Sequence, residues 1–335
     1  MDKKLIHNFL TQLKQLEKEN VLSKKYHDII LEFYQDYKNA VGEDIFNKNN
    51  CDNIFLTFLN ETKKQLEEPY QFELYHKKIV SPINYEKFGN DFVRPLIDIK
   101  HSKIFGTENL KKIQEQLSNN ENVILLANHQ TELDPQAIKI LLDKDFRSII
   151  EEMIFVAGER VITDPLAIPF SMGCNLLCIY SKKHINNIPS LKQQKLLHNR
   201  KTMNVMSSLL QEGRKIIYIA PSGGRDRLSS QGKVSPALFD PQSIEMMNLM
   251  SKKAKTPTHF YPLALYTYHI LPPPEVVEKE IGEKRKTKKY PAYLAFGKKL
   301  DMNKFSDEEK KQKRIKTAEF IWKEVVHEYN KIHKE

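Results

Sequence analysis

Residues 123–135, VILLANHQTELDP, place five apolar residues, a polar turn and an Asp-Pro pair in succession. The run from Val123 to Ala127 has the length of a strand and no polar face, as expected of a strand covered on both sides in a parallel sheet. Asp134 followed by Pro135 reads as an N-cap and first helical position, so a helix begins there and His129 lies in the turn before it. Runs of similar length recur at 153–157, 175–180, 215–220, 260–268 and 292–296, and helical periodicity fills segments such as 137–150 and 191–210. The alternation predicts an α/β fold, a mixed, largely parallel sheet flanked by helices.

Ahead of this layer the pattern is helical throughout. Phe9, Leu13 and Leu16 recur at helical spacing, followed by Tyr26, Ile29, Ile30, Phe33 and Tyr37, then Phe55, Phe58, Leu59 and Leu66. Two domains are therefore expected, a small helical bundle at 1–75 and an α/β domain at 76–335, joined through PYQFELYHKKIVSPINYEKFG at 69–89. At the far end Ser306 and Glu309 have capping-box spacing. Ile315, Ala318, Ile321, Trp322, Val325, Tyr329 and Ile332 then form the stripe of a closing helix.

Composition narrows the class. The chain has 335 residues, 40% of them hydrophobic and 29% charged, which excludes fibrous and wholly disordered classes. No apolar run approaches the roughly 18 residues of a membrane span. The first residues lack a secretory apolar segment, so the expected location is cytoplasmic, or the plastid stroma if a transit peptide has been removed. Three cysteines cannot build a disulfide framework, and Cys174 and Cys178 read as core thiols. A net charge of +10 favours an anionic partner.

Ligands of open α/β sheets bind beyond the carboxyl ends of strands. Three post-strand segments stand out. In NHQTELDP, His129 and Asp134 can converge across the turn, and an imidazole that donates one nitrogen to a carboxylate becomes a better base at the other. The spacing alone also suits a capping Asp beside a surface His. In SKKHI, Lys183 and His184 follow a strand. In APSGGRDR, Gly223 and Gly224 permit close backbone approach, while Arg225 and Arg227 are two of only nine arginines against 44 lysines. That enrichment favours planar, two-pronged anion binding over generic surface charge. Signatures for nucleoside triphosphates, dinucleotides, zinc and a serine-esterase elbow are missing, and no cofactor or metal is expected.

Taken in order, NHQTELDP, IFVAGERVITDPLAIPFSMGCNLLCIYSKKH, IAPSGGRDR, YPLAL and PPPEVVEKEIGEKR resemble the soluble, plastid-type branch of the glycerolipid acyltransferase family, the glycerol-3-phosphate 1-O-acyltransferases. The resemblance implies acyl transfer from an acyl carrier protein or coenzyme A thioester to the 1-hydroxyl of glycerol 3-phosphate, giving lysophosphatidate, the first step of glycerolipid synthesis. On the matching motifs it implies His129 as general base, Asp134 as its partner, and Lys183, His184, Arg225 and Arg227 as the phosphate pocket. Gly158 and Arg160, with Glu159, match a second family block, and Ser222 and Gly223 stand in the third. The basic run from Lys284 to Lys289 would attract an acidic acyl carrier protein. Peripheral membrane contact is expected, for a lipid product must leave the site. The rivals are a lysophosphatidate acyltransferase, which should carry membrane-embedding elements, and, remotely, a nucleic-acid-binding protein. The chain lacks a recognisable module for the second, so no nucleic-acid partner is expected.

Overall fold

A computed structural model describes residues 8–181, 185, 189–274 and 284–332. Among them eight strands form one sheet: β1 (Tyr75–His76), β2 (Lys103–Phe105), β3 (Asn122–Ala127), β4 (Met153–Ala157), β5 (Asn175–Cys178), β6 (Ile216–Ile219), β7 (Thr258–Tyr266) and β8 (Tyr293–Phe296). Their order is β1-β5-β4-β6-β3-β7-β8-β2. The five central strands β5, β4, β6, β3 and β7 are mutually parallel, whereas β1 and β8 run antiparallel to β5 and β7. β2 is parallel to β8. The mixed, largely parallel sheet expected from the sequence is present, and the carboxyl ends of five strands open onto one edge.

The helices are α1 (Phe9–Lys18), α2 (Lys24–Val41), α3 (Glu43–Lys48), α4 (Cys51–Glu67), α5 (Tyr85–Val93), α6 (Thr107–Ser118), α7 (Asp134–Leu142), α8 (Arg147–Glu151), α9 (Ile168–Ser171), α10 (Lys192–Glu212), α11 (Pro241–Ala254) and α12 (Lys310–Ile332). All six residues of β3 are buried because side chains alternate between two covered faces. Val123, Leu125 and Ala127 pack with α6, α7 and α8. Ile124 and Leu126 pack with α10, α11 and α12 on the other side. Each fully buried Ile or Leu contributes about 1.5–3 kcal/mol, so a polar substitution in β3 would strike both layers.

The N-terminal helices join a third core. Phe33, Phe55 and Phe58 meet Phe92 of α5 with ring centroids 5.0–5.8 Å apart, and Phe170 of α9 lies 5.0 Å from Phe92 and 5.9 Å from Phe58. Ala137 and Ile140 of α7 belong to the same cluster. The bundle thus shares a core, through α5, with the helix that opens after the His129 turn.

Some boundaries differ from the sequence reading. The helical segment at 137–150 is two helices, interrupted by the polar Asp143, Lys144 and Asp145. α12 starts at Lys310, not beside Ser306, whose hydroxyl donates to Asp307 instead of capping the helix. Ile315 is exposed, while Ala318, Ile321, Val325, Tyr329 and Ile332 form the buried stripe. The short edge strands β1 and β2 carry no periodicity long enough to reveal them. No helix among the described residues is long and apolar enough to cross a membrane.

Candidate active site

α7 begins one residue earlier than the Asp-Pro pair suggests. Leu133 is the N-cap, Asp134 is the first helical residue and Pro135 falls within the first turn, where its missing N–H costs nothing. Asp134 is fully buried and turns its carboxylate back over the preceding turn. Oδ2 accepts from His129 Nδ1 at 2.8 Å and from the Gln130 backbone N–H at 2.9 Å. Oδ1 accepts from the Thr267 hydroxyl at 2.5 Å and from the Thr131 N–H at 3.3 Å. An acceptor-only carboxylate opposite Nδ1 fixes the imidazole tautomer with its proton there, leaving Nε2 unprotonated on the other side of the ring. The His129 side chain is 27% exposed, enough to meet a substrate, while Asp134 is sealed.

The turn is clamped from three sides. The Asn128 amide donates to the Leu265 carbonyl and to Asp226, and its oxygen accepts from the Leu265 N–H. Gln130 accepts from the N–H groups of Thr267 and Tyr268, just past β7, and donates to Asp226 and to Tyr329 of α12. Tyr218 of β6 donates to the Asn128 carbonyl at 2.9 Å. Asp226 also ties the turn after β6 to the His129 turn through its own N–H, which donates to the His129 carbonyl at 2.6 Å. Burial raises the Asp226 carboxyl to about 6, against the opposing pull of its hydrogen bonds from Asn128, Ala237 and Gln130.

His129 opens onto a cavity of about 850 Å³, mouth included, with Asp134 behind it. Its lining lies at the seam of two cores: Phe33, Leu133, Phe170 and Leu271 come from the bundle side. Phe155, Leu176 and Tyr218 come from the sheet side. Gly158 is also in the wall, with open space where a Cβ would stand. An imidazole base beside an apolar slot suits a substrate with a hydrocarbon part.

At the polar end stands a carboxylate between arginines. Glu132 Oε1 lies 3.3 Å from Arg225 Nη1, and Oε2 lies 3.0 Å from Arg285 Nη2. Arg285 Nη2 also reaches Asp164 at 3.2 Å. Burial would raise the Glu132 carboxyl, but the charges of Arg285 and Arg225, with Arg160 contributing least, outweigh it and hold the group below its ordinary value. Arg225 therefore pairs with a residue of the cavity wall, and Arg160 lies within electrostatic reach of Glu132. Arg227 donates to the carbonyl of Pro274 on the segment after β7. Ser222 donates to the Gly224 carbonyl at 2.9 Å, and Gly223 has φ +64°, so both shape the arginine loop itself. Lys183 and His184 lie outside the described residues. The strand before them, β5, ends at the same sheet edge.

The basic run after residue 283 does not form one docking surface. Lys284, Lys286, Lys288 and Lys289 are exposed, but Arg285 is buried and belongs to the cavity, and Thr287 is buried too. This is the alternation of extended chain. Glu132, Asp164, Arg285, Asn128, Gln130, Asp226 and Thr267 were not singled out in the sequence for this site. All but Thr267 lay within the quoted motifs. All three cysteines are buried, and burial raises the Cys178 thiol to about 12, as suits a core residue.

The acyltransferase family model matches residues 105–266, from the last residue of β2 to the last of β7. The chain is 46% identical over 259 residues to a chloroplastic glycerol-3-phosphate acyltransferase of Cucurbita moschata, covering 76% of this chain and 58% of the relative. A second Cucurbita moschata protein of that description is 40% identical over 306 residues, covering 89% and 66%. One from Arabidopsis thaliana is 42% identical over 258 residues, covering 76% and 56%. The chain thus spans from just over half to about two thirds of the length of these relatives. With all five parallel strands and the turns after β3, β4, β5 and β6 inside the match, the chain belongs to the acyltransferase family.

Proposed function

We propose that the chain transfers a fatty acyl group from a thioester to the 1-hydroxyl of glycerol 3-phosphate. The observation that carries this reading is the His129 Nδ1 to Asp134 bond at the wall of an apolar cavity whose polar end holds Arg285 and Glu132, the latter paired with Arg225. His129 Nε2 takes the hydroxyl proton as the oxygen attacks the thioester carbonyl carbon. Asp134 holds the ring and stabilises the imidazolium that forms. When the tetrahedral intermediate collapses, the carbon–sulfur bond breaks and the departing thiolate recovers the proton from His129. No acyl-enzyme is needed, because the hydroxyl itself is the nucleophile.

Arg225 and Arg227, with Lys183 and His184 from the segment after β5, bind the phosphate, a dianion that calls for several converging donors. The acyl chain enters the slot between Phe33 and Phe155, so the N-terminal bundle of residues 1–75 supplies part of its wall. Gly158 leaves that wall open, Arg160 supports the charge balance at Glu132, and Ser222 and Gly223 shape the arginine loop. The donor is an acyl carrier protein or coenzyme A thioester; exposed Lys284, Lys286, Lys288 and Lys289, without Arg285, remain for an acidic carrier protein. The lipid product leaves through peripheral membrane contact.

The test is radiolabelled glycerol 3-phosphate incubated with each acyl thioester in turn. The expected result is chloroform-soluble label that depends on the acyl donor. No chloroform-soluble label, together with transfer of a radiolabelled acyl group from the same thioesters to lysophosphatidate, would assign the site to the second acylation instead.

A further inference from the structure

Glu132 is a buried carboxylate gripped unequally. Arg285 reaches Oε2 with two nitrogens, Nη2 at 3.0 Å and Nε at 3.3 Å, whereas Arg225 touches Oε1 with Nη1 at 3.3 Å. The Arg285, Arg225 and Asp164 side chains are 6%, 9% and 1% exposed, so water compensates none of them well. A buried carboxylate that loses one cation leans harder on the other. Arg225 is also the cation read above as the phosphate ligand, and Glu132 competes with phosphate for it. Arg285 lies outside the stretch matched by the acyltransferase family model, 153 positions along the chain from Glu132.

We propose that Arg285 is a positioning residue for the acceptor: by satisfying Glu132 it keeps the Arg225 guanidinium available to the substrate phosphate. The inference rests on the reading that Arg225 binds phosphate. Arg285, in the cavity wall, acts through its pairing with Glu132. Its loss should therefore weaken acceptor binding while leaving the donor site and the His129 step in place.

The test is steady-state kinetics on the full chain, with calorimetric titration of glycerol 3-phosphate in the absence of donor. Arg285→Met should raise both Kd and KM for glycerol 3-phosphate about tenfold, the scale of one charge-assisted hydrogen bond, with donor KM and kcat near wild type. Arg285→Lys should fall between, since an ammonium keeps the charge without the fork. The decisive variant is the pair Glu132→Gln with Arg285→Met. With Glu132 neutral and no longer competing for Arg225, Kd should return to within about threefold of wild type, a rescue that a merely structural role for Arg285 would not produce. Wild-type Kd in Arg285→Met, or no rescue in the pair, overturns the inference. If Arg285→Met does not fold, Arg285→Lys with and without Glu132→Gln gives the same two outcomes. Arg225→Ala separates the readings: wild-type Kd there refutes the phosphate assignment, whereas a raised Kd with no effect at Arg285 refutes only this inference.

Discussion

In the turn after β3, His129 and Asp134 are five residues apart, and three of the four donors to the Asp134 carboxylate come from residues 129–131. The charged cluster facing it is assembled from Glu132, Asp164, Arg225 and Arg285, drawn from four separate segments. The first arrangement is dictated by one tight turn closing on a helix start. The second exists only once the sheet has brought distant segments together. A base so held keeps its orientation whatever ligand is present, while a cation shared with a carboxylate can be redistributed. The comparison teaches that His129 is held by local bonding and the Arg225 guanidinium by long-range pairing.

Replacing Asp134 by Asn breaks the local half. The amide retains the shape but puts an N–H₂ against donors that now share one carboxylate, and it cannot stabilise the imidazolium. We expect kcat to fall by roughly 10²–10⁴ with little change in KM for glycerol 3-phosphate, measured in parallel at saturating donor.

Asp226 joins the two halves, and its titration reports on the seam. Its carboxyl is raised to about 6 in the folded chain, by burial above all. The folded state therefore holds this proton more tightly than the unfolded chain, whose Asp ionises near about 4. The stability it confers is fully present below pH 4 and is lost as pH rises towards 6. The stability of wild type relative to Asp226→Asn should accordingly shrink by on the order of 2 kcal/mol between pH 4 and pH 6 and then level off. Urea unfolding across that range checks it; a difference that grows with pH would mean Asp226 is ionised and favourably paired throughout.

Arg225→Lys sharpens the other half. It keeps a charge but loses the planar fork, so KM for glycerol 3-phosphate should rise roughly tenfold with kcat retained. The smallest effect is expected of Thr267→Val, which removes one of the four donors to Asp134. A severalfold drop in kcat, about what one neutral hydrogen bond supplies, would leave the local turn in charge. A loss as large as that of Asp134→Asn would shift control of the base to the β7 side.

The same contrast explains what was legible in the sequence. Alternating apolar runs gave the five parallel strands to within a residue or two at most ends, since burial on both faces leaves an unbroken apolar signature. The His129 and Asp134 pair was readable because turn and helix start fix it within six residues. Arg285 read as part of a surface run, because a two-residue alternation of buried and exposed positions hides inside uniformly basic composition. Glu132 sat in view within NHQTELDP, but nothing local says that a carboxylate there meets arginines from two other segments. Asn128 and Gln130 were likewise visible as polar turn residues, with partners beyond β6 and β7 that only the sheet order supplies.

That His129 removes the acceptor proton in a direct transfer is tested most directly by the turnover of a folded His129→Ala chain at saturating acyl thioester and glycerol 3-phosphate. The expected result is a kcat lower by roughly 10²–10⁴, unchanged calorimetric Kd for glycerol 3-phosphate, and no acylated protein by mass spectrometry in either variant. Wild-type turnover from that chain, or an acyl-enzyme in the wild type that discharges to the acceptor, would contradict it.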